Sequence, residues 1–414
     1  MSVLSQIALK NSSLDRYFDR HWSAGSMTKA GTLVTQQTSL RLSTYLACSR
    51  VRTESFGCLP CSPFKKRGGG KGQDEAYDHP LYEIIHNVPN EDMTSLTFRE
   101  SLNMNFDADG NCYAIIDTNR AGNVIRLTPV PFYNMEPKYN EFKDKMEYHF
   151  YDRGKYEILP PSKVYHVPGF SWDGLKGISM IQAAAETFGR GMALDEFTNR
   201  FFGQGMNFGV VFEFPNDVKD PDAIKKQVEE KYGGLVNSHR PMILTNGGKV
   251  SRIPISFVDA QLIEMMNLTD MQICGIMRVP PHMIAHLERS TNNNIEHQGI
   301  EFVVYSMLPV ITRHEQEMNR KLFTKKEREA GYYVKFNIDA LLRGDSKARA
   351  EALALKRQNG IINANEWRAL DEQNPIDGVA GEAYLVNGAS ISTETAANQL
   401  PKQTGNNNNT GKEV

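Results

Sequence analysis

The sequence predicts an α+β protein, and three observations support that prediction. The 414 residues exceed the length of one domain, which is about 100–200 residues, so two or three folding units are expected. In the N-terminal half, short extended runs are separated by glycine-containing turns, as in β-hairpins. In the C-terminal half, apolar residues recur every three or four positions over long segments, which indicates helices.

The composition argues against several classes of protein. The 47 Lys and Arg residues against 49 Asp and Glu residues give a net charge of −2, whereas tight nucleic-acid binders usually carry a basic excess. Five cysteines do not make a disulfide framework and favour a reducing, intracellular setting. The most apolar stretch, 302–312, contains Pro309 and is shorter than the roughly 18 residues of a membrane span. With no signal peptide recognisable, we expect a soluble protein made in the cytosol.

The first half of the chain predicts helices followed by two hairpins. Residues 1–35 are polar and weakly patterned. Helical segments are expected at 39–56, at 79–86 and from about Thr94, where Thr97 and Glu100 have capping-box spacing. Between the first two lies a basic loop, 65–72, expected at a hairpin tip. The strands expected next are 111–117 and 123–130, joined near Gly122, and then 148–151 and 155–159.

Three long helices dominate the second half, expected at 179–203, 260–277 and 295–323. Ser179 and Gln182 form a capping box at the start of the first. The second is stopped by Pro280-Pro281. Pro309 should kink the third, because its ring clashes with the carbonyl of Tyr305.

A small α/β insertion separates the first two long helices. Its strands are expected at 210–214, 242–244 and 249–255, and its helix begins at Asp220-Pro221 and ends at Gly233-Gly234. After the third long helix we expect a strand at 332–338 and short helices at 345–358 and 363–370. The remaining tail is rich in Asn, Thr and Gly, which predicts disorder.

No catalytic or metal-binding motif is complete. Cys58 and Cys61 have C-x-x-C spacing, but no helix that would activate a thiol follows them, and a second zinc-ligand pair is missing. His282 and His286 are four apart, yet Met283 stands where a metalloprotease needs glutamate. An apparent calcium loop from Asp107 lacks its required glycine, so a turn entering a strand explains it. The chemistry therefore favours no cofactor, no metal and no catalysis.

A polar loop at 286–294 connects the second and third long helices. It carries one arginine, one glutamate and several side chains that form hydrogen bonds. By composition alone it is an ordinary connector. One alternative stays open at this point: a metal- or nucleotide-dependent α+β enzyme with its site near 281–297.

Several short strings, in order along the chain, resemble the portal proteins of long-tailed double-stranded DNA bacteriophages. They are His79-Pro80-Leu81-Tyr82 with Pro89-Asn90, Gly110-Asn111-Cys112-Tyr113-Ala114, His166-Val167-Pro168-Gly169 with Asp173-Gly174 and Gly177-Ile178-Ser179, Val279-Pro280-Pro281, and Gly360 with Asn365-Glu366-Trp367-Arg368. Each string is weak alone, but together they span roughly residues 35–385 without a large gap.

The resemblance implies a subunit that forms a ring of about twelve copies through a head-to-tail interface closed by rotation. It also implies a division of the chain: a flexible arm at 1–35, a mixed α/β wing domain at 36–177, stem helices at 178–205 and 259–279, a small α/β clip at 206–258, a tunnel loop at 280–294, a long kinked wing helix and wing strand at 295–340, a helical crown at 341–385 and a disordered tail at 386–414.

By the same resemblance, two groups of residues carry the function. The tunnel-loop group faces DNA and consists of His286, Arg289, Ser290, Thr291, Asn292, Asn293 and Asn294. The clip group meets a partner protein and consists of Lys225, Lys226, Glu229, Glu230 and Lys231. A run of mixed charges like the clip group is more often a solvated helix face.

The resemblance further implies a place and a set of partners. The ring would occupy one vertex of the capsid in the virion, after assembly in the host cytoplasm. Partners would be double-stranded DNA without sequence specificity, terminase, a head–tail adaptor, and the major capsid and scaffold proteins, but no membrane. A near-neutral charge suits a conduit that lets DNA slide rather than one that grips it. Another ring-forming virion protein is a further alternative.

Overall fold

The computed structural model describes residues 25–67, 72–203, 210–213, 226, 249–252, 259–285, 298–338, 346–370 and 373–384. Contacts divide the chain into two units, 1–341 and 342–414. Among the described residues, no helix combines the length and apolarity needed to cross a membrane.

Residues 226 and 298–301 of the first unit are helical, and nine further α-helices of this unit have described bounds. They are α1 Gln36–Ser39, α2 Ser43–Gly57, α3 Pro80–Tyr82, α4 Ser95–Asp109, α5 Met180–Ala183, α6 Ala185–Gly203, α7 Asp259–Met277, α8 Leu308–Lys321 and α9 Lys325–Glu329. A π-helical turn, Glu83–Asn87, continues α3, and a π-helical segment, Phe302–Met307, leads into α8.

The described strands of this unit form five small antiparallel sheets. They are β1 Ser26–Met27, β2 Leu33–Val34, β3 Cys61–Lys66, β4 Gln73–Glu75, β5 Asn111–Thr118, β6 Val124–Val130, β7 Met135–Asn140, β8 Lys145–Asp152, β9 Lys155–Leu159, β10 Val164–Pro168, β11 Val210–Glu213, β12 Lys249–Arg252 and β13 Tyr332–Phe336. The sheet orders are β1-β2, β13-β3-β4, β10-β5-β6, β7-β8-β9 and β11-β12.

The central strand β5 separates two hydrophobic cores. Cys112, Ala114 and Ile116 point to the larger core, which extends from Val34 to Phe336 and includes the inner faces of α2, α4 and α8. Tyr113 points the other way, into a smaller core against the β7-β8-β9 sheet. Because strand residues alternate between faces, one strand serves both cores. Both faces are therefore buried.

Three helices of the first unit pack side by side. Side-chain contacts join Thr44 to Asp270, Cys48 to Cys274, and Arg52 to the Met277 carbonyl, so α2 and α7 run parallel. Contacts from Arg190 to Gln272 and from Thr198 to Met266 show that α6 runs antiparallel to α7. The Tyr45 and Phe188 rings meet edge to face at 5.4 Å.

Most expected elements of the first unit are confirmed, with differences at their ends. The N-cap of α4 is Thr94, whose hydroxyl accepts from the Thr97 amide, so the expected capping box at Thr97 lies three residues too late. Ser179 is confirmed as a cap, but Ala184 interrupts the long helix and divides it into α5 and α6. Strands β7 and β10 were not expected.

Part of the expected loose arm is ordered. Residues 25–35 contain the β1-β2 hairpin, and the side chain of Val34 is fully buried. Thr32 donates a hydrogen bond to the Gly189 carbonyl of α6, which fixes the hairpin against that helix. The expectation for 1–35 is therefore wrong over 25–35, because a polar sequence is held here by contacts distant in the chain. Residues 1–24 lie outside the described part.

The second unit is helical, as expected. Its helices are α10 Ser346–Gln358, α11 Ala364–Leu370 and α12 Val379–Glu382. Asn363 caps α11 reciprocally with Glu366: each side chain accepts from the other residue's amide, at 2.7 and 2.8 Å. Arg357 donates to the carbonyls of Ile362 and Ala383, which joins the end of α10 to the segment after α12. The tail 385–414 lies outside the described part.

Candidate functional site

The end of α7 and the start of the π segment fix the two ends of the expected tunnel loop. Pro280 and Pro281 end the helical path, and a 3₁₀ turn follows at Pro281–Ile284. On the far side, His282 Nδ1 lies 2.6 Å from Gln298 Oε1, which joins the two flanks. The tunnel-loop group, from His286 to Asn294, lies between these flanks and outside the described residues. Its residue roles stay predictions.

A buried guanidinium connects this region to α2 and α4. Arg52 donates through Nε and Nη2 to Asp107 at 2.8–3.1 Å, and through Nη1 to the Met277 carbonyl at 3.2 Å and to Ser306 Oγ. Burial lowers the pKa of Arg52, but the Asp107 carboxylate outweighs it and raises that pKa above its ordinary value. One charged side chain thus joins α2, α4, the end of α7 and the π segment.

Sequence reasoning missed this ion pair. Asp107 was considered only as part of a failed calcium loop, whereas the structure places it on the inner face of α4. Gly110, at a φ of 79°, ends that helix and starts β5, so the expected turn is confirmed. A signal was available: Arg52 and Asp107 both occupy core-facing positions among apolar residues, where an unpaired charge is rarely stable.

An open groove lies between α7 and the π segment, beside this ion pair. The cavity has a volume of about 280 Å³ and is lined by Met271, Cys274 and Gly275 of α7, by Arg278 to Pro281 after it, and by Glu301, Phe302 and Tyr305. The same helical segments carry further exposed apolar side chains. We call them the apolar band, which consists of Leu268, Met271, Ile300, Val304, Tyr305 and Leu308. Leu268 is 56% exposed and Tyr305 63%, and exposed apolar area of this kind is typical of surfaces that bind a partner.

The clip region is described only in part. Strands β11 and β12 pair in antiparallel register from Val210 opposite Arg252 to Glu213 opposite Lys249. The strands expected at 210–214 and 249–255 are therefore confirmed over 210–213 and 249–252, and the rest of them lies outside the described residues. Lys226 is helical and exposed. The other four residues of the clip group and the strand expected at 242–244 lie outside the described residues.

The sequence predicted neither a redox site at Cys58 and Cys61 nor a metal site. Cys58 is exposed at the end of α2, while Cys61 is buried at the start of β3, where burial raises the pKa of its thiol. A strand follows this pair, as the rejection of a dithiol site required. Within the described residues, no three His, Cys, Asp or Glu side chains are placed to bind a metal ion.

Comparison with known proteins gives the family. The model of the family "Phage portal protein" matches residues 43–372. The portal protein of Enterobacteria phage HK97 is 29% identical over 373 residues, which cover 88% of this chain and 86% of that protein.

Solved structures share the fold. A chain in the virion of a native gene transfer agent particle superposes with a TM-score of 0.59 at 17% identity, over 91% of this chain and 100% of the other. A chain in the neck of a native gene transfer agent particle, computed with C12 symmetry, gives a TM-score of 0.56 at 17% identity, over 82% and 94% of the two chains. Since the family model matches most of the sequence, this chain belongs to the phage portal protein family.

Proposed function

We propose that this chain is the portal subunit of a virion, forming a ring of about twelve copies at one capsid vertex. The ring is the conduit for double-stranded DNA in packaging and ejection. It docks terminase first and head–tail adaptor proteins later. Family membership and the portal name of the HK97 relative support this function, and the neck relative with C12 symmetry supports the copy number.

The observation that carries the ring proposal is the apolar band. Its six large side chains lie on α7, on the π segment and on their neighbouring turns, beside an open groove. Leaving that area in water is unfavourable by about 25 cal/mol for each Å². A second copy of the chain is the occupant we infer, because a head-to-tail ring gives every copy a neighbour on this side.

The loop that follows the groove is the proposed DNA contact. In a ring, one Arg289 from each copy becomes a circle of positive charge, and the Asn292 to Asn294 run adds donors for phosphate oxygens without reading sequence. The chain carries a net charge of −2, so the contact is local and the bore does not hold the duplex by bulk charge.

We assign the remaining regions from the resemblance to portal proteins. Residues 36–177 with 295–340 form the wing, 206–258 the clip, and 341–385 the crown inside the capsid. The clip group, Lys225 to Lys231, is the proposed surface for terminase and then the adaptor. Capsid and scaffold proteins would contact the wing.

Electron microscopy of the purified chain in negative stain tests the ring. The wild type should give rings with a central hole, whereas Leu268→Asp and Val304→Asp should give small particles because they place charge in the apolar band. Ile125→Asp, on an exposed strand position outside the band, is the matched control and should keep the ring. Small particles for the wild type would exclude the portal function, and rings for both band variants would place the interface elsewhere.

A packaging assay tests the loop. Arg289→Ala should reduce the fraction of particles that retain full-length DNA, while Arg289→Lys, which keeps the charge, should retain most of that fraction. Normal packaging by rings of Arg289→Ala would exclude the role of this side chain and leave the ring proposal intact.

A further inference from the structure

Two buried thiols face each other in the wall between α2 and α7. The sulfur atoms of Cys48 and Cys274 are 4.0 Å apart, with the Cys48 thiol donating to Cys274. Both side chains are almost completely buried. Of the other three cysteines, only Cys58 is exposed, and no disulfide is formed in this structure.

The two helices hold these sulfurs in register. Since α2 and α7 run parallel, the contact of Thr44 with Asp270 lies one turn before the sulfur pair, and the contact of Arg52 with the Met277 carbonyl lies one turn after it. Polar contacts on both sides prevent the helices from sliding or rotating past each other. The two thiols therefore keep facing each other. A small rotation of their side chains would bring the sulfur atoms from 4.0 Å to bonding distance.

In a subunit that has not yet entered a ring, the groove gives one of the two thiols access to small molecules. Cys274 is part of the lining of the 280 Å³ cavity, together with Gly275 and Arg278, whereas Cys48 does not line it. A water-sized molecule takes about 30 Å³ in the liquid, so the cavity accepts a small hydroperoxide. The hydrogen bond from Cys48 holds the pKa of Cys274 below its ordinary value, which favours Cys274 as the nucleophile.

We propose that Cys274 and Cys48 form a peroxide-sensitive dithiol that closes to a disulfide between α7 and α2. The Cys274 thiol releases its proton, and its thiolate attacks the terminal oxygen of a hydroperoxide. The O–O bond breaks, and the departing alkoxide or hydroxide takes up the released proton and leaves as an alcohol or as water. The resulting sulfenic acid is attacked by Cys48 sulfur, whose proton goes to the departing hydroxide. Two thiols and one organic hydroperoxide thus become one disulfide, one alcohol and one water, and with hydrogen peroxide the products are one disulfide and two waters.

The disulfide would join α2 to α7 through two cysteines that are 226 positions apart in the sequence. It would fix α7 to the wing just before the chain enters the 286–294 loop. Reduced, α7 is held only by noncovalent contacts. Oxidised, it moves with α2 as one body.

Peptide mapping after hydrogen peroxide treatment tests the proposal. The full chain, in a Cys58→Ser background that removes the exposed thiol, should give a Cys48–Cys274 linked peptide that dithiothreitol releases. Cys274→Ser should lose the linked peptide. Cys48→Ser should instead leave a sulfenic acid on Cys274 that dimedone labels. Circular dichroism of each variant, compared with the parent, shows that the fold is kept.

Access through the groove has its own test. Gly275→Leu adds a side chain beside Cys274 where the position of a Cβ has no atom within 4 Å, so the helix is expected to tolerate it while the cavity narrows. The Cys48–Cys274 disulfide should therefore form more slowly in Gly275→Leu than in the parent. Gly299→Leu, also at an open helical position but outside the cavity lining, is the control and should link at the parental rate. Absence of the linked peptide in the folded parent overturns the dithiol, and equal rates for Gly275→Leu and the parent overturn access through the groove.

Discussion

The guanidinium of Arg278 donates a hydrogen bond of 3.1 Å to the carbonyl oxygen of Tyr305. That carbonyl would ordinarily accept from the amide four residues later, but Pro309 has no N–H. Arg278 lies just beyond α7 at a φ of 54°, and this left-handed backbone directs the chain away from the helix. One side chain thus supplies the donor that the proline removes, and it joins the end of α7 to the π segment.

Removing this donor should weaken the fold in a way that depends on Pro309. Arg278→Met keeps the length of the side chain but donates nothing, so the free energy of unfolding should fall by about 1 kcal/mol in urea denaturation. In a Pro309→Ala background the loss should be smaller, because the alanine amide becomes available to the Tyr305 carbonyl. Equal losses in both backgrounds would contradict the compensation.

The Arg52–Asp107 pair should dominate the electrostatic stability of the first unit. Arg52→Met leaves a buried carboxylate without its partner and should lower the free energy of unfolding by about 3–5 kcal/mol. The matched control is Arg50→Met, two positions away on the same helix, where the pair with Glu54 is mostly exposed. That change should alter stability by less than about 1 kcal/mol. Similar losses for the two variants would argue against the buried pair as the main contributor.

Stability should fall as the pH is lowered below 6.5, and His314 should account for part of the loss. Burial, with a contribution from Arg313, lowers the pKa of His314 to about 3 in the folded chain. Below pH 6.5 the unfolded chain binds a proton that the folded chain does not, so unfolding becomes more favourable as pH falls towards 3. For this one side chain the effect is about 2 kcal/mol at pH 5.

The pH effect is best measured as a difference between variants. His166, also buried and with its pKa lowered to about 3, acts in the same direction, whereas burial raises the pKa of Asp109 to about 6 and opposes it. Both contributions cancel when the wild type is compared with His314→Gln at pH 7 and pH 5. The wild type should lose more stability between these two values than the variant.

Close backbone packing makes Gly177 indispensable. A Cβ at this position would lie 1.9 Å from the carbonyl oxygen of Gly110, so Gly177→Ala should lower the free energy of unfolding by about 3 kcal/mol or more. Gly122→Ala is the control, because this turn glycine has a φ of 85° but open space around it. It should lose only about 1–2 kcal/mol from backbone strain. Thermal denaturation of both variants distinguishes steric overlap from strain.

Local patterns predicted most of the secondary structure, and long-range packing explains the differences. Hairpins at 111–130 and 148–159 follow from alternation and turn residues, which act over a few positions. Strand β10 has almost no alternation because its first four residues are buried, and it pairs with β5, about 50 positions earlier. The break at Ala184 likewise has no signal in a sequence whose apolar spacing continues through it.

The position of the candidate site could be predicted from the sequence, but the contacts that hold its flanks could not. Pro280-Pro281 marks the end of α7, so the place of the loop follows from proline chemistry alone. The contacts of Arg52 with Met277 and Ser306 cross more than 220 positions, and no local pattern encodes them. The tunnel-loop and clip groups came from the resemblance, and their roles stay predictions.

Strand β13 pairs with β3, and both belong to the core that begins at Val34. A ribosome synthesises Cys61 275 residues before Phe336, so the edge of β3 that pairs with β13 stays unpaired while those residues are made. Contacts this distant in sequence slow folding, because a long loop must close before they stabilise anything. The newly made chain therefore completes this core only after Phe336 has been synthesised. Until then, association between chains competes with folding, and chaperones can act on the incomplete core.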